Sequence, residues 1–440
     1  MLLIYTPALT SRLQYIFSLM FNDLLKMEIE LTSDKEYFSR FEGAKMSYLE
    51  EVIGDEINFK PAQLLFEKDI KEQDIKVINW EGTKALSFPS PLGEGLGVRH
   101  FPFDPFAAAF YLVSRYEEYL PHQKDEHGRF EANQSLAYRN DFLTKPLVNI
   151  WAGMIKELLL KKYPDLKFGE RKYEYISTID IDNAYAYKGK GFVRITGALA
   201  KSLLKFDFKG FYDRFKVVFM NAHDPFDTYQ KLKDLNEKYS AKSIYFFLVG
   251  DFSEHDRNLS IKQKKYQQLI KSAADYAEVG IHPSYASNEN PKIVAKEIKN
   301  LNQVLNKEVT KSRQHFLKLT FPDTYRNLIE CDILEDYSIG YAEQVGFRAS
   351  ICSPFYFYDL IKDGMTNLRL FPFAVMDATL NNYMKIKPED TMKYVLPLIQ
   401  ETKAVKGTFI SLWHNESVSN IWDWKDWESV YEQVVKAASK

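Results

Sequence analysis

Carboxylate and imidazole residues follow four short apolar runs in the second half of the sequence. Asp180 and Asp182 end the first run, His282 the second, Asp377 the third and His414 the fourth. These side chains are common ligands of divalent metals and common general acids and bases. Because the C-terminal ends of parallel strands open onto one face, the four runs predict a single site built from several strands.

The two aspartates are two residues apart, which places both on one face of a strand, while Ile179 and Ile181 face the other way. Two carboxylates this close repel each other unless a cation or a shared proton lies between them. The spacing therefore favours a metal ion. Taken alone, it also fits two aspartates that cap the following turn.

Three of the eight histidines lie in the same half of the chain as these aspartates, namely His282, His315 and His414. We expect these three to belong to the site. The remaining five stand in polar or loop-like contexts and are expected at the surface: His100, His122, His127, His223 and His255.

Composition limits the function classes. Lys and Arg number 58 against 60 Asp and Glu, so the net charge of -2 gives no basic field for nucleic acid. The only two cysteines, Cys331 and Cys352, are too few for a disulfide framework. The first residues make a poor signal peptide and no apolar run is long enough to span a bilayer, so we expect a cytoplasmic protein.

The elements that must position the site begin at about residue 173. From there, short apolar runs such as Ser243–Val249 alternate with helical stretches, a pattern typical of parallel strands. The first 165 residues predict a mixed α/β unit, with a helix that starts at Asp104 and Pro105. We place a smaller N-terminal domain at 1–168 and a second domain at 169–440. The glycine-rich run Ser90–Val98 matches no phosphate-binding motif and is interpreted as a flexible insert.

The segment from about Tyr173 to Asn420 resembles the polysaccharide deacetylases, the NodB homology domain of carbohydrate esterase family 4. The likeness rests on five stretches: Thr178–Asn183, Ser243–Gly250, Glu278–Ser284, Leu412–His414 and the context of Asp377. It implies a distorted (β/α) barrel of about seven strands and a divalent metal, with zinc as the expected ion. The first 168 residues are similar to an uncharacterised domain that precedes some bacterial members, with the likeness in Asp104–Tyr119.

Two departures from the family pattern concern the metal. Ile181 separates the two aspartates, which the family places side by side, and Ala286 stands where the second metal histidine is usual. Either Asp182 and His282 hold the metal with His315 as third ligand, or the metal has been lost. We favour the first.

The resemblance implies metal-dependent removal of an acetyl group from an N-acetylated sugar or glycan. In this scheme Asp180 is the base, Arg313 orients it, and His414, held by Asp377, protonates the leaving nitrogen. Arg313 lies where the family's motif arginine is expected, and Arg348 is a rival for that position. We expect Arg348 to bind the substrate. Trp413 and Tyr285 are expected to bind it as well.

Two other functions fit parts of the pattern. A glycosyltransferase with an Asp-x-Asp metal site explains the aspartates but not the histidines. A non-catalytic sugar-binding barrel explains the missing second histidine. The sequence leaves the oligomeric state open.

Overall fold

The computed structural model describes residues 1–89 and 101–440, with the side chains of Phe192 and Val193 left out. The predicted insert Ser90–Val98 and His100 lie outside the described residues.

The N-terminal part is a mixed α/β unit, as the sequence predicts. Its strands are β1 (Leu2–Tyr5), β2 (Ile29–Thr32), β3 (Lys45–Tyr48), β4 (Ile57–Phe59), β5 (Lys76–Trp80) and β6 (Thr83–Ser87). Its helices are α1 (Ser11–Phe17), α2 (Lys35–Arg40), α3 (Pro105–Val113), α4 (Leu136–Arg139) and α5 (Leu147–Lys162). The first four strands form a parallel sheet in the order β2-β1-β3-β4, and β5 and β6 form an antiparallel pair.

The second part carries the larger sheet. Its strands are β7 (Glu174–Ile181), β8 (Lys242–Leu248), β9 (Glu278–His282), β10 (Lys311–Ser312), β11 (Glu335–Asp336), β12 (Phe355–Asp359), β13 (Gly364–Leu370), β14 (Val375–Met376) and β15 (Thr408–His414). Its helices are α6 (Phe192–Leu204), α7 (Phe208–Phe219), α8 (Tyr229–Lys238), α9 (Lys264–Ala274), α10 (Pro291–Leu305), α11 (Asp323–Glu330), α12 (Met392–Ala404) and α13 (Trp427–Ser439).

The described strands of this sheet pair in the order β12-β13-β11-β10-β9-β8-β7-β15-β14, and every pair except β12 with β13 is parallel. This sheet is strongly curled. Only residues 371–374 connect β13, near one edge, to β14 at the other. Among the described residues no ladder of hydrogen bonds joins the two edges, so the structure shows a curled parallel sheet where the resemblance implies a barrel of about seven strands.

Apolar side chains fill both sides of the curled sheet. Alternate residues such as Ile176, Phe246 and Leu412 point inward and form a small inner core. Residues of the opposite parity, such as Ile179 and Ile181, belong to a larger core that is continuous with the N-terminal part. Because side chains alternate between the two faces along each strand, this alternation determines which polar residues reach the open end of the sheet.

Buried polar contacts join the two parts of the chain. Nε of Arg348 donates to Glu118 over 2.9 Å, and Nε of Arg115 donates to the same carboxylate over 2.7 Å. All three side chains are buried.

The boundary at 168/169 stays a prediction. Within the described residues, no helix has the length and apolar character needed to cross a bilayer.

Candidate active site

Strand β7 delivers both aspartates to the open end of the curled sheet. Asp180 lies beside His414 of β15 in the parallel register, and Ile181 lies beside Phe247 of β8. Asp180 is buried and Asp182 is partly exposed. Both line the same pocket, as the two-residue spacing predicts.

Asp182, His282 and His315 converge on one point. One ligand atom from each of them lies within 4.8 Å of the other two. Nε2 of His282 is 3.2 Å from Oδ1 of Asp182, and Nε2 of His315 is 3.3 Å from Oδ2. His282 ends β9, whereas His315 enters from the turn that follows β10.

The second nitrogen of each imidazole is already engaged. Nδ1 of His282 donates to the carbonyl oxygen of Arg313 over 2.5 Å, and Nδ1 of His315 donates to Oδ1 of Asp256 over 2.8 Å. When the two rings are neutral, these bonds select the tautomer that leaves both Nε2 lone pairs free toward Asp182. Histidines that bind metals in proteins are held in this way.

The residues present fit a divalent metal. Within the described part of the chain, Oδ1 of Asp182 is buried and receives no hydrogen bond. A buried carboxylate oxygen without a donor is costly, and a cation would satisfy it. One carboxylate and two imidazoles leave a coordination position open, as in catalytic zinc sites.

Arg313 fixes the other aspartate. Its Nη1 donates to Oδ1 of Asp180 over 3.0 Å and to the Thr178 hydroxyl over 2.7 Å, and its Nε donates to the Tyr337 carbonyl over 3.0 Å. The guanidinium is fully buried. Asp180 is therefore held as a hydrogen-bond acceptor next to the three converging residues, with its Oδ2 3.7 Å from Nε2 of His282.

His414 and Asp377 form a hydrogen-bonded pair beside Asp182. Oδ1 of Asp377 accepts from Nδ1 of His414 over 2.8 Å, and Oδ2 accepts from its backbone N–H over 2.7 Å. Nε2 of His414 faces the pocket, 3.7 Å from Oδ2 of Asp182. The imidazole can thus deliver a proton into the pocket.

The charges of the site shift the pKa values of its members. For His414, burial lowers the pKa, but Asp377 and then Asp182 outweigh it, so the pKa lies well above its ordinary value. The pKa of His315 rises to about 9 because Asp182 and Asp256 outweigh its burial. The pKa of Asp182 is well below its ordinary value, since the neighbouring imidazoles outweigh its burial. His414 is therefore protonated at neutral pH, as a proton donor must be.

The pocket in front of these residues has a volume of about 230 Å³. One wall comes from the N-terminal part of the chain, because Arg129 lines the pocket. Its Nη1 donates to the Phe316 carbonyl over 2.8 Å and its Nε to Asp125 over 2.7 Å. Tyr383 and Trp424 also line the pocket.

Sequence reasoning missed three members of the site. Asp256 lies in the loop after β8, Glu416 follows His414 by two residues, and Arg129 belongs to the N-terminal part. Burial raises the pKa of Glu416 to about 7. Glu416 could have been found from its proximity to a strand end, but no local pattern marks the other two.

Two residues expected to bind substrate lie elsewhere. Arg348 does not line the pocket, since its guanidinium pairs with Glu118 and with the Gly340 carbonyl. Trp413 is buried on the outer face of β15, with its ring centroid 5.0 Å from that of Tyr431. The alternation that turns His414 inward turns Trp413 outward, so both assignments are corrected.

Tyr285 lies beside the site but does not line the pocket. Its backbone N–H donates to Oδ1 of Asp256 over 2.8 Å, and its ring centroid is 4.2 Å from that of His255. A role in sugar binding stays a prediction.

Comparison with known proteins gives a family for the N-terminal part only. The model of a family of unknown function (DUF7033) matches residues 2–164. No curated protein matches the sequence.

Several solved structures are distantly similar to the chain. A polysaccharide deacetylase from Bacillus cereus is 11% identical over 61% of this chain and 86% of its own, with a TM-score of 0.27. A CE4 family pseudoenzyme from Bacillus anthracis is 12% identical over 60% and 62%, with a TM-score of 0.28. The allantoinase Puue is 9% identical over 60% and 84%, with a TM-score of 0.36. At such scores, function must be argued from the site itself.

Proposed function

We propose that the protein is a metal-dependent hydrolase that removes the acetyl group from an N-acetylated sugar or glycan. The observation that carries the proposal is the convergence of Asp182, His282 and His315. The buried carboxylate of Asp180 and the imidazole of His414, which Asp377 holds, lie beside them. The resemblance to the polysaccharide deacetylases supports the choice of an N-acetyl substrate. The cytoplasmic location and the N-terminal domain's role stay predictions.

A divalent cation held by Asp182, His282 and His315 would supply the positive charge that acidifies a water molecule and polarises a carbonyl group. Zinc is the proposed ion because two imidazoles and one carboxylate are typical of catalytic zinc sites.

The chain's own residues divide the proton transfers. Asp180 accepts the proton of the attacking water, and Arg313 holds its carboxylate toward the pocket. His414 donates a proton to the departing amine nitrogen, and Asp377 both orients the ring and keeps it charged. Because His414 and Asp180 sit on neighbouring strands in register, base and acid approach the same substrate from adjacent positions.

The experiment is an assay of acetate release from N-acetylglucosamine oligomers, run with the protein as purified, after chelation and after zinc is restored. We expect release that is lost on chelation and recovered with zinc. Tight zinc binding without release would favour a non-catalytic sugar-binding protein. Weak manganese binding together with a nucleotide-sugar would favour a glycosyltransferase.

A further inference from the structure

Helices α6 and α7 form an exposed hairpin between β7 and β8, directly after the aspartates of the site. Their outer side carries apolar side chains that a folded surface normally buries. Leu204 is 82% exposed, Phe206 79% and Phe208 65%. The other exposed members of this surface, which we call the hairpin face, are Leu203, Tyr212, Phe215, Phe219 and Met220.

The apolar residues of α7 fall on one side of the helix. Phe208, Tyr212, Phe215 and Phe219 follow one another at spacings of four, three and four residues, which keeps them on a single stripe. The ring centroids of Phe215 and Phe219 are 5.0 Å apart. The stripe therefore presents aromatic rings along one side of the helix.

The other side of α7 is what fixes the hairpin to the protein. Val217 packs in a small core with Tyr187 and Phe226. The carboxylate of Asp224 accepts the backbone N–H groups of Ala186 at 2.7 Å and of Tyr187 at 2.9 Å, which ties the two ends of the hairpin together. The exposed stripe thus belongs to an anchored element.

The charge of the hairpin is opposite to that of the whole chain. Residues 188–220 contain eight Lys and Arg against two Asp, a net charge of +6, whereas the full chain carries -2. In the described part of the chain, no carboxylate forms an ion pair with Lys201, Lys205 or Lys209. All three lysines are exposed, and Lys205 and Lys209 directly adjoin Phe206 and Phe208 in the sequence.

An aromatic stripe flanked by unpaired lysines matches the chemistry of an anionic bilayer surface. Apolar side chains enter the boundary between headgroups and acyl chains, while lysines meet acidic headgroups. At 1.5 Å per residue, the 13 residues of α6 extend about 20 Å, shorter than the roughly 30 Å hydrocarbon core. A helix of this kind lies in the interface.

We propose that the α6–α7 hairpin docks the protein onto membranes that contain anionic lipids. Two further exposed aromatic residues at the base of the hairpin extend the surface. Phe252 is 59% exposed beneath Arg194, and Trp422 is 60% exposed next to Tyr187. Trp424, which lines the pocket, is two residues beyond Trp422, so docking brings the pocket opening close to the lipid. This inference does not depend on the proposed hydrolysis.

The test is cosedimentation of the full chain with phosphatidylglycerol-containing vesicles and with pure phosphatidylcholine vesicles. We expect binding to the anionic vesicles that weakens with added salt. Reversing three lysines, in K201E/K205E/K209E, should weaken binding by about 100-fold or more. The matched control, K35E/K299E/K307E, changes the net charge equally at exposed positions outside the hairpin and should retain binding.

A second pair of variants tests the apolar contribution. Phe206→Ser with Phe208→Ser should reduce vesicle binding, whereas Ile361→Ser with Met365→Ser, also at exposed apolar positions, should not. Circular dichroism confirms that each variant is folded. The proposal is overturned if the wild-type chain binds neither kind of vesicle. Self-association that F206S/F208S abolishes, without vesicle binding, would show that the face instead binds a second copy of this chain.

Discussion

Asp256 gives the sharpest prediction about the metal site, because it hydrogen-bonds to His315 but is not one of the three residues that would hold the metal. Its Oδ1 accepts from Nδ1 of His315 over 2.8 Å and from the backbone N–H of Tyr285 over 2.8 Å. Removing such a partner of a metal-binding histidine typically weakens metal binding by 10- to 100-fold, or about 1.4 to 2.7 kcal/mol.

The two substitutions at this position should differ in degree. Asp256→Asn preserves the shape and can still accept from His315 through its amide oxygen, so we expect a loss of zinc affinity near about 10-fold. Asp256→Ala removes the acceptor and should approach about 100-fold. Asp377→Asn is the matched control, because Asp377 holds His414 in the same way and His414 is not one of the three converging residues.

The assay is competition for zinc with a chromophoric chelator at neutral pH, with folding checked by circular dichroism. Unchanged affinity in both folded Asp256 variants would show that His315 does not hold the metal. An equal loss in Asp377→Asn would show that the effect is a general change of charge near the pocket.

Three further predictions concern catalysis and stability. His414→Ala should lower acetate release by about 10²- to 10⁴-fold while zinc content, measured by mass spectrometry, stays unchanged; equal loss of zinc would reject its role as the acid. Arg348→Ala leaves Glu118 buried with one partner fewer, so denaturant unfolding should show a loss of about 3–5 kcal/mol with zinc affinity intact. Burial raises the pKa of Asp104 from its ordinary 3.8 to about 6, so the folded protein binds more protons than the unfolded chain between these values. The free energy of unfolding should therefore fall by up to about 3 kcal/mol as the pH rises from about 4 to about 6. Asp104→Asn keeps the N-cap and should lack this pH-dependent contribution. The same dependence of the unfolding free energy on pH in Asp104→Asn and in the wild type would refute the prediction.

The part of the site that follows from strand periodicity could be predicted from sequence. Asp180 and Asp182 share a face because side chains alternate along β7, and His282 and His414 reach the same end because their strands are parallel to it. The same alternation, applied strictly, also predicts that Trp413 points away from His414. The expectation that Trp413 binds sugar rests on its aromatic character and neglects its position on the strand.

The remaining features depend on contacts between distant parts of the chain. Glu118, which neutralises Arg348, is 230 residues away from it, and Arg129 reaches the pocket from the N-terminal part. Asp256 sits in an irregular loop whose path no short pattern specifies. The curl of the sheet likewise could not be predicted. The apolar run Leu370–Met376 contains the end of β13, a short connection and all of β14, and nothing in the run shows that it joins two different strands.

The most direct measurement is an anomalous-scattering map of zinc-loaded crystals of the full chain, combined with the metal content of the same sample. We expect about one ion per chain, with a peak about 2.0–2.2 Å from a carboxylate oxygen of Asp182 and from Nε2 of both His282 and His315. A chain that takes up no zinc, or one whose ion lies away from these three atoms, would contradict it.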